Sequence, residues 1–135
     1  MTQTKHDERD SIIFDSSIWI GLFLDFDTNH RKAARLMQEI TGIIRVPYCV
    51  VSETATVIAY KHSKEQADNF LLYIVDSEKI LLLDDVVRDE AEFYRSLPYR
   101  ISFTDASLLL LAKKYKTRLI TFDKQLERIA RKLLP

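Results

Sequence analysis

Four short apolar runs, separated by segments with helical periodicity, constrain the fold of this 135-residue chain more than any other feature. The runs occupy 11–14, 43–46, 80–83 and 118–122 and are rich in β-branched and large aliphatic residues. Such runs are typical of buried parallel strands. Parallel strands need long crossover connections, which are usually helices. The pattern therefore predicts an α/β domain with a parallel sheet, helices on both faces and right-handed crossovers.

Helices are predicted in every interval between these runs and after the last one. Apolar residues recur at helical spacing, and Ser, Thr or Asn stands near several of the expected starts. Thr104 is the predicted cap of the helix before the last strand. The predicted order of elements is β-α-α-β-α-α-β-α-α-β-α. The predicted helices are 16–25, 29–41, 48–61, 64–76, 86–97, 105–115 and 124–134.

Composition excludes several classes of protein. The single cysteine, Cys49, rules out a disulfide framework or a cysteine-based zinc site, and we expect it in the core. Two glycines are too few for a Gly-rich phosphate loop, a dinucleotide fingerprint or a nucleophile elbow. No apolar run approaches the ~20 residues of a membrane helix, and the polar start lacks the apolar region of a secretory signal. We expect a cytoplasmic protein with a flexible tail, 1–10, and one domain, 11–135.

Four acids stand where packing alone explains an acid poorly. Asp15 and Asp123 each follow an apolar run, Asp105 opens a helix, and Glu53 lies inside the apolar stretch 46–59, where we expect it to be buried. The carboxyl ends of parallel strands meet at one edge of the sheet. Carboxylates gathered there repel one another unless a cation lies between them, and Mg²⁺ prefers such oxygen ligands. The pattern predicts metal-assisted cleavage of a phosphodiester.

Each acid taken singly also has a structural explanation. Asp15 and Asp123 could cap the helices that follow them, and Asp105 could interact with the dipole of its own helix. Glu53 could form a salt bridge with a neighbouring Lys or Arg. The joint pattern is more specific than any one of the four acids.

The acids lie in four motifs whose order and spacing match those of a known family. The motifs are Phe14-Asp15-Ser16-Ser17-Ile18-Trp19, Ser52-Glu53, Ser102-Phe103-Thr104-Asp105-Ala106 and Thr121-Phe122-Asp123. Over 11–134 the chain resembles the PIN domain, and most of all the VapC-type toxins of toxin–antitoxin pairs. The resemblance implies a three-layer α/β/α fold with a central, mainly parallel sheet of four to five strands.

The resemblance also implies an activity, namely that of an endoribonuclease dependent on Mg²⁺ or Mn²⁺ that leaves 5′-phosphate and 3′-hydroxyl ends. Asp15, Asp105 and Asp123 match metal ligands, and Glu53 matches a ligand that binds directly or through water. Ser17 matches a residue beside the metal, and Thr121 matches a hydroxyl that orients its neighbours. The implied partners are an RNA substrate and a small antitoxin protein.

Basic residues near the acids are candidates for holding RNA. Arg100 and Lys124 are close to the acids in sequence, and Arg31, Lys32 and Arg128 are further candidates. Lys and Arg side chains commonly position phosphates. The alternative for each is an ordinary solvated charge. The balance of 20 basic and 20 acidic residues predicts no general affinity for nucleic acid.

The aromatic content of the helices suggests protein partners. Some of these residues are expected to line a groove for an antitoxin helix or the face of a homodimer, although each could also lie in the core. The residues are Phe23, Phe26, Phe70, Tyr73, Phe93 and Tyr94.

Three alternatives remain open. A PIN-domain nuclease in RNA processing, without an antitoxin, carries the same acids. A catalytically silent PIN-like binding scaffold is disfavoured because all four acids are present. A phosphoryl-transfer domain of the receiver or phosphatase type needs a pair of aspartates after the first strand, whereas Asp15 is followed here by Ser16 and Ser17.

Overall fold

Strands and helices alternate along the chain in the predicted order. The computed structural model describes residues 11–135, so the predicted tail, 1–10, lies outside the described residues. The strands are β1 (Ile12–Phe14), β2 (Ile44–Pro47), β3 (Ile80–Leu83) and β4 (Arg118–Ile120). The helices are α1 (Ser16–Phe23), α2 (His30–Glu39), α3 (Tyr48–Lys61), α4 (Lys64–Asp76), α5 (Val87–Ser96), α6 (Phe103–Tyr115) and α7 (Lys124–Leu133).

The four strands form one parallel sheet in the order β3-β2-β1-β4. Ile12 of β1 is paired with Ile44 on one side and with Arg118 on the other, and Ile44 is paired with Ile80. Because all strands run the same way, the residues that follow β1 and β4 emerge side by side at one edge of the sheet. That edge positions Asp15 next to the chain that leads to Asp123.

An aromatic cluster fixes the first helix against the sheet. Trp19 of α1 is fully buried, with its ring centroid 5.5 Å from that of Phe14 and 6.0 Å from that of Phe70. Phe23 lies 5.3 Å from Phe70. Burying each such side chain contributes about 1.5–3 kcal/mol to stability. The cluster holds the carboxyl end of β1, and therefore Asp15, in a rigid setting.

A smaller core lies between α6 and α7. Leu109 of α6 packs there with Leu126, Ile129 and Ala130 of α7. This contact fixes the helix that carries Asp105 against the helix that starts at Asp123. None of the helices in residues 11–135 combines the length and apolar character that would let it cross a membrane.

The start of α6 differs from the predicted one. Ser102, not Thr104, is the N-cap: its backbone is extended, and its Oγ accepts a hydrogen bond of 3.0 Å from the backbone N–H of Asp105. Thr104 lies within the first turn, where its backbone is already helical. Asp105 is therefore the third residue of α6 rather than the first.

The third strand is also less buried than its apolar sequence predicts. Leu81 is 42% exposed and Leu82 is 50% exposed, because β3 pairs only with β2 and forms an edge of the sheet. An unbroken apolar run indicates burial on both faces only for a central strand.

Candidate metal-binding site

The two acids that follow strands serve as helix caps. Asp15 accepts a hydrogen bond of 3.0 Å from the N–H of Ser17 and caps α1, and Asp123 accepts one of 3.0 Å from the N–H of Leu126 and caps α7. The structural explanation offered for each acid is thus correct. It does not compete with metal binding, because an ionised carboxylate has about four lone-pair sites.

Two hydroxyl groups connect the ends of β1 and β4. Thr121 Oγ1 donates to Asp15 Oδ2 at 2.5 Å and accepts from the N–H of Asp123 at 2.9 Å. Ser17 Oγ donates to Asp15 Oδ1 and accepts from the N–H of Phe122 at 3.1 Å. Both oxygens of Asp15, which is only 5% exposed, are therefore held in place by hydroxyl donors.

Glu53 is exposed, so the expectation that it is buried is wrong. The apolar stretch around it forms α3, whose buried face consists of Val50, Thr54 and Ile58 at helical spacing. Glu53 falls outside that face, and its Oε1 accepts a hydrogen bond of 2.6 Å from Ser16 Oγ. Ser16 was not among the predicted site residues, although its position directly after Asp15, in the first turn of α1, indicates that its hydroxyl lies near the acids.

The pKa of Asp105 is sensitive to the charges of the other three acids. Burial, which has the largest effect, and the negative charges of Asp15, Asp123 and Glu53 together raise its pKa from 3.8 to about 6. Burial also raises the pKa of Asp15, against the opposing effect of its hydrogen bonds from Ser17 and Thr121. The structure thus brings the four predicted acids to one edge, where ionisation of the two more buried ones is costly.

The donor set fits a hard divalent cation. All four side chains offer oxygen, and within residues 11–135 none of them forms an ion pair with Lys or Arg. In that part of the chain no three His, Cys, Asp or Glu side chains stand close enough together to enclose a metal ion directly. Mg²⁺ is usually bound through one or two carboxylates and several waters, so these residues suit a largely hydrated ion.

The predicted basic candidates lie at the surface. Lys124 is the exposed first residue of α7, directly after Asp123, and Arg100 is exposed in the segment before α6. Within the described residues neither forms an ion pair. The structure leaves both side chains in solvent.

A buried acid outside this group was missed by the sequence analysis. Glu90 of α5 is 2% exposed, accepts a hydrogen bond of 2.6 Å from the N–H of Val86 and accepts a second from Ser107 Oγ of α6.

Burial, followed by the carboxyl groups of Asp85 and Glu90, raises the pKa of the Cys49 thiol to about 12. Cys49 packs against the core, as predicted.

Comparison with known proteins places this arrangement in context. The model of the PIN domain family matches residues 12–132. The structure is similar to that of VapC20 from Mycobacterium tuberculosis, a toxin that cleaves the sarcin–ricin loop, with a TM-score of 0.79, 20% identity and coverage of 87% of this chain and 94% of that one. It is also similar to VapBC2 from Rickettsia felis, bound to a fragment of promoter DNA, with a TM-score of 0.65, 15% identity and coverage of 88% and 92%. No curated protein matches the chain by sequence. At these identities the likeness establishes the fold, and it confirms the predicted α/β arrangement with a central parallel sheet.

Proposed function

Because this chain belongs to the PIN domain family, we propose that it is an endoribonuclease that uses Mg²⁺ or Mn²⁺ to hydrolyse phosphodiester bonds of RNA. The observation that carries the proposal is the gathering of Asp15, Glu53, Asp105 and Asp123 without a basic partner among residues 11–135. The similarity to VapC20, a toxin that cleaves the sarcin–ricin loop, supports the same reaction class.

The four acids are the proposed ligands of the metal ion. Asp15, Asp105 and Asp123 would hold the ion, in part through its bound waters, and Glu53 would hold it directly or through water. When bound there, the ion would stabilise negative charge on the scissile phosphate and lower the pKa of a water molecule. Water adds to phosphorus and the bond to the 3′ oxygen breaks, which leaves 5′-phosphate and 3′-hydroxyl ends.

Ser17 and Thr121 are positioning residues in this proposal. Each hydroxyl holds one oxygen of Asp15 and also accepts a backbone N–H from the segment after β4. The carboxylate of Asp15 therefore keeps one orientation relative to Asp123. Ligands held in this way need little reorganisation when the ion and the substrate arrive.

We further propose that the nuclease acts in the cytoplasm and is the toxin of a toxin–antitoxin pair. The similarity to VapBC2, a complex bound to promoter DNA, supports an antitoxin partner. Among the six aromatics singled out in the sequence, Phe70 is buried and Phe23, Tyr73 and Phe93 are half-buried, so only Phe26 and Tyr94 are exposed. Phe26 stacks on His62 at 6.0 Å, and this exposed pair is a candidate contact for the antitoxin.

A homodimer is proposed through a different surface. Exposed aliphatic side chains are concentrated in α4, in the edge strand β3 and at the start of α5: Leu72, Val75, Leu81, Leu82, Val86 and Val87. Exposed apolar groups of this kind mark protein contacts, and an unpaired edge strand is a pairing site. A monomer in sedimentation at micromolar concentration would contradict the dimer.

Cleavage of a mixed RNA pool tests the proposed activity. We expect cutting with Mg²⁺ or Mn²⁺ but not with EDTA, and loss of cutting to background in Asp15→Asn. Asparagine is also a good N-cap, so α1 is expected to remain folded, which circular dichroism checks. Asp76→Asn is the matched control. Asp76 ends α4 shortly before β3 begins, so it lies near the amino ends of the strands, whereas the four acids lie near their carboxyl ends. Full activity of Asp15→Asn, or no cutting by folded wild-type protein with either metal, would contradict the proposal.

A further inference from the structure

A lysine is held beside the acidic edge by an aromatic ring. Lys32 Nζ, in the first turn of α2, lies 5.4 Å from the ring centroid of Phe122. Phe122 directly precedes Asp123. Resting on the proposed function, we propose that Lys32 binds a phosphodiester of the RNA next to the one that is cut, and that the Phe122 ring fixes its ammonium group for this purpose.

Phe122 is itself fixed to the acidic site. Its N–H donates to Ser17 Oγ at 3.1 Å, and the same hydroxyl donates to Asp15. Its ring atom Cε2 lies 3.6 Å from the position that a Cβ on Gly21 would occupy, which places the ring closely against α1. The ring therefore cannot move far from the acids, and the ammonium group above it is restrained as well.

The contact leaves the charge of Lys32 available. Within residues 11–135 Lys32 forms no ion pair with Asp or Glu. A ring face attracts the ammonium group without taking up its three N–H donors, whereas a carboxylate would compete directly with a phosphate. Since the chain has a net charge of zero and this edge is acidic, a cationic side chain beside the acids favours attraction of RNA in addition to the bound metal.

Restraint distinguishes Lys32 from the other basic candidates near the acids. Lys32, Lys124 and Arg100 are all exposed and form no ion pair within the described residues, but of the three only Lys32 lies over an aromatic ring. Ordering a free lysine or arginine side chain at an interface costs conformational entropy, and a side chain already held over a ring loses less of it on binding. Of these three residues, Lys32 is thus the one whose ammonium group is already restrained for a phosphate contact.

The chain offers a matched control for this lysine. Lys114 Nζ also lies over a ring, 5.6 Å from the centroid of Tyr115. It stands in the last turn of α6, a helix whose first turn carries Asp105, so it lies far from the acids. Substituting Lys114 removes the same charge and the same kind of ring contact at the other end of α6.

Salt dependence of RNA binding tests the proposal. The probe is a short fluorescent oligouridylate, followed by anisotropy with Ca²⁺ in place of Mg²⁺ over a series of KCl concentrations. Loss of one phosphate contact to single-stranded RNA lowers the slope of log K against log[KCl] by about 0.7. We expect this loss in Lys32→Gln, the wild-type slope in Lys114→Gln and Lys32→Arg, and an intermediate slope in Phe122→Leu.

An unchanged slope in Lys32→Gln, an equal loss in Lys114→Gln, or wild-type binding that does not depend on salt would overturn the proposal. The result is separable from the nuclease test. If wild type cuts RNA but the slope for Lys32→Gln is unchanged, the proposed role of Lys32 is refuted and the nuclease proposal stands. If the slope for Lys32→Gln is reduced but wild type does not cut RNA, the phosphate contact stands and the nuclease proposal is refuted. In the cleavage assay, Lys32→Gln is expected to raise KM more than it lowers kcat.

Discussion

At the scale of single residues, the Thr121 hydroxyl is the most consequential group outside the acids. Thr121 is 8% exposed and makes hydrogen bonds with both Asp15 and the N–H of Asp123. In Thr121→Val the shape is kept but both partners are left unsatisfied, which costs about 1–3 kcal/mol of unfolding free energy. Urea denaturation measures this loss, and RNA cleavage is expected to fall because Asp15 is no longer held.

Two further variants separate the hydroxyl from the packing. Thr121→Ser keeps the hydroxyl and is expected to retain most of the activity. Thr41→Val alters an exposed threonine between α2 and β2 and is expected to change neither property. Activity of Thr121→Val equal to that of wild type would show that this hydroxyl does not position Asp15.

The location of a residue could be predicted from the sequence where the end of a strand determines it. Asp15 and Asp123 follow strands, so a parallel sheet alone brings them to one edge. The burial of Glu53 was predicted wrongly because it depends on which face of α3 meets the core. Packing against neighbouring elements decides which face is buried, and a stretch with apolar residues on several faces does not reveal that choice. The roles of the four acids, Ser17 and Thr121 stay predictions until the variants are measured.

At the scale of elements, one buried carboxyl group connects α5 to α6. Glu90 accepts hydrogen bonds from the N–H of Val86 and from Ser107 Oγ, and Ser107 is fully buried. Ser107→Ala removes a donor from a buried carboxyl group, so we expect a loss of about 1–3 kcal/mol in the free energy of unfolding. Urea denaturation measures it, with the exposed Ser96→Ala in α5 as the control. Equal stability of the two variants would mean that this contact contributes nothing.

Element order was predictable, whereas the ends of elements were not. The alternation of apolar runs and helical segments gave all eleven elements of residues 11–135 in order. Thr104 was predicted as the cap of α6, but Ser102 and Thr104 are both good capping residues, and only the backbone path before α6 selects Ser102. The exposure of β3 depends on strand order, because an edge position leaves Leu81 and Leu82 partly uncovered.

At the scale of the whole molecule, the acidic edge makes stability depend on pH and on divalent ions. The folded-state pKa of Asp105 is raised from 3.8 to about 6, so between these values the folded protein binds more protons than the unfolded one. Stability from this group is therefore greatest below 3.8 and is lost as pH rises through about 6. Burial raises the pKa of Asp15 and adds to the effect in the same direction.

Asp105→Asn isolates this contribution from that of all other carboxyl groups. In EDTA at neutral pH the variant is expected to melt at a higher temperature than wild type, because it removes a charge that burial and three neighbouring acids disfavour. The difference is expected to vanish as pH falls below 3.8, where Asp105 is neutral in both folded and unfolded wild-type protein.

At neutral pH, divalent ions are expected to make the melting temperature of wild type higher than that of Asp105→Asn, the reverse of the order in EDTA. An ion that binds only the folded protein stabilises it, by about 2.7 kcal/mol at a concentration 100 times its Kd. Wild type is therefore expected to gain melting temperature with Mg²⁺ or Mn²⁺, whereas Asp105→Asn has lost a ligand and gains little. Differential scanning fluorimetry over a pH series, with EDTA or metal, measures both effects. Equal gains in the two proteins would remove Asp105 from the metal site, and a variant less stable than wild type in EDTA would show that its ionised carboxylate stabilises the fold.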